Sequence, residues 1–331
     1  MTGKVVLTNE CSTKITVAQF VCSLIIVLRH SRIVDGGGVI DLFKNQGSIF
    51  IVALPCFFFF SGYLFFKGYH PNQFCDKLKG RVRTVLIPYL IFNALNTIYR
   101  YLIVLVSRKD ISQNMAMNII KGVFFNQYNG EFWYIQQIMI YFLFAPIFYM
   151  IFRNKYIGMV SIFGLIALQR IDYMIPVIRI QHLIFYAFGS YIALNCATIL
   201  NFRPSKKVKI MSVFVEIALI AVHYFYVQEE STAEIIIKFI LLGSFWNVCD
   251  AFAQADLPRF AKWSFFIYAT HSQIEKVINS ILTILLPKTH FFNVINFFGG
   301  ASVTVFIIYV IGCVLSNKMP RVWRTVNGGR T

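Results

Sequence analysis

His30 is the residue best placed for acid–base chemistry. It closes an apolar run, Phe20–Leu28 followed by Arg29, and an imidazole titrates near neutrality. A general base at the end of such a run could take a proton from a hydroxyl. The plainer alternative is a histidine solvated at the membrane interface. Arg29, Arg100, His182, Glu216, His223, Asp250, His271, Glu275 and Lys276 also fall in apolar stretches. Ionisable groups there are costly and face an interior cavity or a partner. Arg29 and Arg100 can snorkel, His223 sits on the outer side by an acidic loop, and Glu216 and Asp250 read as buried partners of cations. His271 and Glu275 are four residues apart and share a helix face. The seven cysteines contain no C-x-x-C pair and no Cys/His cluster, so neither zinc nor a redox pair is indicated.

These residues need helices to hold them. The chain is 57% hydrophobic and 14% charged, whereas soluble domains carry about a quarter charged residues. Its apolar runs are long enough for lipid, which takes about 20 residues per span. Period-two alternation is absent from them, which excludes an outer-membrane barrel. The expected fold is therefore all-α and polytopic, with about ten transmembrane helices in one domain over 1–331 and no appended soluble domain. Spans are expected at 15–34, 48–69, 84–107, 131–152, 156–172, 177–199, 208–227, 233–254, 262–286 and 292–316. Segment 111–129 is shorter and mixed, an interfacial or re-entrant piece. The first apolar stretch lacks a small-residue cleavage site and reads as a retained helix.

With the N-terminus inside, 19 Lys and Arg fall in inside segments and 8 in outside ones. The positive-inside rule then puts both termini in the cytoplasm. Glu229, Glu230 and Glu234 fall in an outside loop. The net charge of +17 is spread along cytoplasmic loops, where topology and anionic lipid account for it, and nucleic-acid binding is not expected.

Five fragments carry a family resemblance. The stretch Val21-Cys-Ser-Leu-Ile-Ile-Val-Leu-Arg-His-Ser31 resembles the first-helix signature of the acyltransferase 3 family, whose apolar first helix ends in histidine. Pro55-Cys-Phe-Phe-Phe-Phe-Ser-Gly-Tyr-Leu-Phe-Phe66 resembles its aromatic run ending in Ser-Gly-Tyr. Lys79-Gly-Arg-Val-Arg-Thr-Val-Leu-Ile-Pro-Tyr89 resembles its basic loop leading to Pro-Tyr. Gly130-Glu-Phe-Trp-Tyr-Ile135 and Ser264-Phe-Phe-Ile-Tyr-Ala-Thr-His-Ser272 are similar to its Leu-Trp-Phe and late Phe-x-Ile-Tyr-x-x-His helices. Single fragments of this kind are common in Phe-rich helices; five in the family's order are not. One departure stands out: many members carry an arginine eleven residues before the histidine, where this chain has Gln19. Eleven residues is about three turns, so the two positions share a face.

The resemblance implies transfer of an acyl group, usually acetyl, from a cytoplasmic acyl-CoA such as acetyl-CoA to a hydroxyl on a surface glycan or lipid-linked sugar. It also implies a bacterial inner membrane. Arg81 and Arg83, whose guanidinium groups can clasp phosphates in bidentate fashion, become donor contacts; without a ligand they are a topology signal. Ser61-Gly62 is by default a close-packing point, and could also admit the acyl-pantetheine arm. Gln19 belongs to the same donor region. Glu131 could orient His30 as a carboxylate does a catalytic histidine. Trp133 is either an interfacial anchor or a platform for a sugar ring. His271 and Glu275 are either a structural polar pair or the wall of the donor cavity. Direct transfer with His30 as base is the economical mechanism; an acyl-histidine relay is the alternative. A transporter or flippase of a polar solute is the rival class, although the sequence contains no repeat. The acceptor, the acyl group and the oligomeric state are not legible.

Overall fold

The computed structural model of the chain describes residues 7–31, 50–106, 114–170, 178–227, 231–286 and 290–330. Lys4, Arg32, Lys44, Arg108, Lys109, Lys288, Glu229 and Glu230 lie outside them. Among the described residues every regular element is helical and there is no β-strand.

Helix α1 (Asn9–His30) starts where the Thr8 side chain accepts from the Cys11 amide at 3.1 Å, satisfying one of the orphan donors of a first turn. Its buried face repeats at helical spacing through Cys11, Ile15, Ala18, Cys22 and Ile26, and packs against α2 (Ala53–Phe66) and the later helix α12 (Ser264–Leu285). Helix α2 is buried nearly all round, with Phe57 to Phe60, Tyr63, Phe65 and Phe66 all enclosed. A helix with no polar face belongs in the centre, and α2 occupies it. After α2 come α3 (Phe74–Arg81), a π-helical turn Val82–Leu86, and α4 (Ile87–Val106). Helix α5 (Met115–Phe124) turns back onto α4, where Asn93 donates to the Val123 carbonyl at 3.1 Å and Tyr89 to the Phe124 carbonyl at 2.9 Å. Helices α6 (Trp133–Leu143) and α7 (Ala145–Phe152) meet at a 66° bend, at Pro146, which cannot donate to the helical ladder. Then follow α8 (Lys155–Arg170), α9 (Ile180–Asn195), α10 (Lys206–Tyr226) and α11 (Thr232–Cys249). After α12 come α13 (His290–Val294), α14 (Ala301–Lys318) and α15 (Pro320–Val326).

The most extensive helix contact is between α2 and α9. A Cβ on Gly189 would stand 2.0 Å from the Phe59 carbonyl, and one on Gly62 2.2 Å from the Tyr186 carbonyl. The two backbones touch because both residues lack side chains, as small residues permit inside membranes. Around this centre, α4, α8, α10 and α14 turn apolar side chains outward, including Leu102, Phe163, Phe214 and Phe306. Exposed apolar faces of that extent fit lipid, not water.

Helices occupy all ten expected segments, but the count of ten spans is not reproduced. Among the described residues, five helical stretches are long and apolar enough to cross a bilayer, or six if the bent α6–α7 pair is one span. The shortfall has a physical reason. Helix α2 has 14 residues, about 21 Å at 1.5 Å per residue, against a hydrocarbon core of about 30 Å. Helices α8 and α9 have 16 each, and α12 is diluted by His271, Gln273, Glu275 and Lys276. Segment 115–124 is a short helix whose Met117, Ile120 and Phe124 are exposed, as an interfacial piece would be.

Cations from two of the segments expected inside meet at Asp250. There Lys14, 1% exposed, reaches Asp250 at 3.2 Å, the Phe202 carbonyl at 3.2 Å and the Trp246 ring at 4.2 Å. Arg203 and Lys209 each approach Asp250 to 2.9 Å. These are the cations Asp250 needs as a buried carboxylate. At the opposite end of α11 Glu234 pairs with Lys238 at 2.9 Å and lies 3.5 Å from His223.

Two stability predictions follow from this packing. Gly189→Ala should cost about 1–3 kcal/mol through overpacking, whereas Gly243→Ala, with open space at its Cβ, should be neutral or stabilising by up to about 1 kcal/mol. Thermal unfolding in detergent compares them, and equal effects would contradict the crossing. Asp250→Ala should cost about 3–5 kcal/mol by stranding Lys14. Adding Lys14→Met should recover part of the lost thermal midpoint; a further loss would show that the pair is not the source.

Candidate active site

His30 is the last residue of α1, and its Nε2 lies 2.9 Å from Glu131 Oε2. The two side chains are 33% and 25% exposed, open enough for a ligand to reach. With the Nε2 hydrogen donated to the carboxylate, Nδ1 is left as the basic nitrogen of a neutral ring. Glu131 comes from a 3-10 turn, Gly130–Phe132, that leads into α6. Several contacts fix that turn. Phe132 is fully buried between the Tyr89 and Tyr268 rings, at 5.6 and 6.0 Å. The Tyr268 hydroxyl donates to the Glu131 carbonyl, and Asn129 donates to Asn93 at 3.3 Å.

His271 adjoins His30, with ring centroids 5.3 Å apart. It is fully buried, and its Nδ1 lies 2.7 Å from the Tyr268 carbonyl. A carbonyl only accepts, so Nδ1 carries the hydrogen and Nε2 holds the lone pair. Glu275, one turn further on, accepts from Ser31 at 2.9 Å, and this bond fastens the end of α1 to α12. Of the two residues sharing that face, His271 adjoins His30 and Glu275 is tied to Ser31.

Trp133 begins α6 in the wall of a cavity of about 320 Å³. Its ring meets the Arg179 guanidinium at 4.3 Å and the His182 ring at 4.8 Å. Arg29, Lys238 and Glu234 line the same cavity.

Two tyrosines and a serine lead from the Glu131 turn into the bundle. Tyr268 meets Tyr134 at 5.6 Å between rings, and the Tyr134 hydroxyl lies 3.1 Å from Ser61 Oγ. Beyond it, Arg81 lies over Phe142 at 5.3 Å and Phe65 at 5.8 Å, within electrostatic reach of Tyr134. Arg330 joins this end, over Phe265 at 4.9 Å and within electrostatic reach of Arg81 and Tyr134. Burial pushes the Arg330 guanidinium down to about 10, and the Arg81 charge acts in the same direction.

The structure separates other candidates. Arg83 is exposed while Arg81 is partly buried, so the two arginines of the loop do not converge. Gly62 faces the α9 backbone, which leaves no room on that side for a ligand. Gln19 is half-buried three turns before His30; one turn on, Ser23 donates to the Ser264 carbonyl at 3.1 Å. Tyr134, Tyr268, Arg179 and Arg330 are members that sequence reasoning missed. Both tyrosines lie inside motifs already singled out, Trp-Tyr-Ile and Ile-Tyr-x-x-His, and that was the available signal.

A bundle with a histidine–carboxylate pair at one end, cations at the other and hydroxyls between suits group transfer between two polar molecules. A family model described as an acyltransferase domain matches residues 13–313. No curated protein and no solved structure matches the chain. The match spans nearly the whole sequence, on a multi-pass helical membrane fold, and the chain belongs to the acyltransferase 3 family.

Proposed function

We propose that this membrane acyltransferase transfers an acyl group, acetyl in the simplest case, from cytoplasmic acyl-CoA to a hydroxyl of a surface glycan or lipid-linked sugar. The observation that carries the reading is the His30–Glu131 pair at 2.9 Å, from which the Tyr268–Tyr134 ring contact and the Tyr134–Ser61 hydroxyl pair lead toward Arg81. The acceptor approaches His30 from the cavity beside Trp133. His30 Nδ1 takes the hydroxyl proton, and Glu131 stabilises the imidazolium that forms. The oxygen attacks the thioester carbonyl, and the tetrahedral oxyanion is met by nearby hydroxyl donors, for which Tyr134 and Ser61 are the candidates. Collapse expels the CoA thiolate, which takes the proton back from His30. The phosphates of the donor stay at the Arg81 end while the pantetheine arm runs past these hydroxyls. That arrangement accounts for a base and a phosphate site at opposite ends of one bundle, and the enzyme resides in the cytoplasmic membrane.

Cells expressing His30→Ala at matched membrane levels should lose the O-acetyl content of their surface glycans. Equal acetylation in mutant and wild type, above an empty-vector control, would refute His30 as the base. Glu131→Gln keeps the shape and removes the charge, and should lower acetyl-CoA consumption by isolated membranes about 100-fold or more. Unaltered turnover would remove Glu131 from the mechanism.

A further inference from the structure

The segment after α15 folds back into the bundle. Gly328 and Gly329 take positive φ of 63° and 73°, a conformation that glycine adopts without steric cost. A Cβ on Gly328 would stand 2.4 Å from the Thr84 carbonyl and 2.5 Å from Arg330 Nη1, so the turn also needs glycine for space. Gly329 N donates to the Arg324 carbonyl at 2.7 Å, and the Asn327 side chain donates to the Arg330 carbonyl. The turn lays Arg330 on Phe265 and brings its Nη1 beside Gly328, on the Thr84 side of the bundle.

Two partly buried guanidinium groups drawn into one region are unfavourable unless something negative accompanies them. Among the described residues, no carboxylate forms an ion pair with either. The nearby Lys77 is already engaged, donating to the Phe65 and Lys67 carbonyls at 2.6 and 3.0 Å. A cavity of about 270 Å³, lined by Leu64, Lys77, Gly80, Arg81 and Thr84, opens at this place. Its wall residue Thr84 is the one against which Gly328 packs. Arg81 thus lines a cationic cavity that has room for a phosphate or diphosphate, and Arg330 Nη1 comes up behind its Thr84 wall, beside Gly328; guanidinium forks match phosphate oxygens in bidentate fashion.

We infer that Arg330, swung inward by the Gly328–Gly329 turn, forms with Arg81 a two-guanidinium clamp for the phosphates of the acyl-CoA donor. The inference rests on the donor reading above, and adds to it an affinity determinant some 250 residues distant in sequence from Arg81. Arg83, being exposed, stands outside the clamp.

The test uses the full chain purified in neutral detergent, with CoA and phosphate-free pantetheine as probes in equilibrium binding. Arg330→Ala should weaken CoA about tenfold or more, the loss expected for a charged hydrogen bond, and leave pantetheine unchanged. Arg330→Lys, which keeps the charge but not the fork, should fall between. In turnover assays, KM for acetyl-CoA should rise by the same factor while kcat at saturating donor stays within about twofold. CoA affinity within twofold of wild type in Arg330→Ala, with Arg81→Ala strongly impaired, would overturn the clamp and leave the donor reading standing. Equal weakening of CoA and pantetheine would assign Arg330 a structural role and overturn it too. No CoA binding by the wild type would remove the donor reading itself.

Discussion

The close crossing of α2 and α9 is the contact on which the rest of the bundle depends. Gly62 and Gly189 let each helix rest on a carbonyl of the other, at Tyr186 and Phe59. With these axes drawn together, the aromatic residues of α2 radiate into the surrounding helices. Phe58 reaches Tyr134, Trp133 and His182, and Phe65 stacks on Phe142 at 4.6 Å. The site residues of α6 are therefore placed by a helix that contributes only the Ser61 hydroxyl beside Tyr134. Packing of this kind is stiff, because interiors at crystal-like density transmit displacements instead of absorbing them.

The site is built from both ends of this frame. Glu131 depends on a 3-10 turn held by Phe132, Tyr268 and Asn129, and His30 on the Ser31–Glu275 bond that pins α1 to α12. Three separate parts of the chain thus meet at one histidine, and each is fixed by a contact that does not involve a ligand. Such support from the surrounding shell is what keeps reacting groups at productive distances. The cationic end is organised differently: aromatic faces carry the guanidinium groups, and no described carboxylate neutralises them.

Much of the fold is legible in the sequence, because lipid imposes a strong and simple pattern. Apolar runs give helices, and breaks between runs give loops. What the pattern does not give is which helix crosses fully. Helix α2 is short because it is surrounded by protein, and α12 is polar because it lines the site; both depart from the rule for the same reason. The chemistry is legible in residue type and not in adjacency. His30 stands out as an ionisable group in an apolar run, but its distance to Glu131 depends on how α1, α6 and α12 pack. Tyr134 and Tyr268 look like ordinary members of aromatic helices. Arg330 looks like a topology charge, since nothing local reveals that two left-handed glycines aim it inward. Arg81 and Arg83 read as a pair, and the π-helical turn that follows Arg81 accompanies their different surroundings.

The polarity of α12 also bears on how the protein is made. A translocating ribosome delivers helices to the bilayer one after another, and Glu275 and Lys276 lie at the middle of α12, where each charged residue costs about 2.5–3.5 kcal/mol on insertion scales. Helix α12 is thus a poor candidate for entering lipid alone. Its partner α1 is already in place by then, and α14, the most apolar of the candidate spans, follows within some 20 residues. Biogenesis is thereby coupled to assembly. The segment that carries His271 thus gains by packing against α1, where Ser31 donates to Glu275 and lowers the cost of burying that carboxylate.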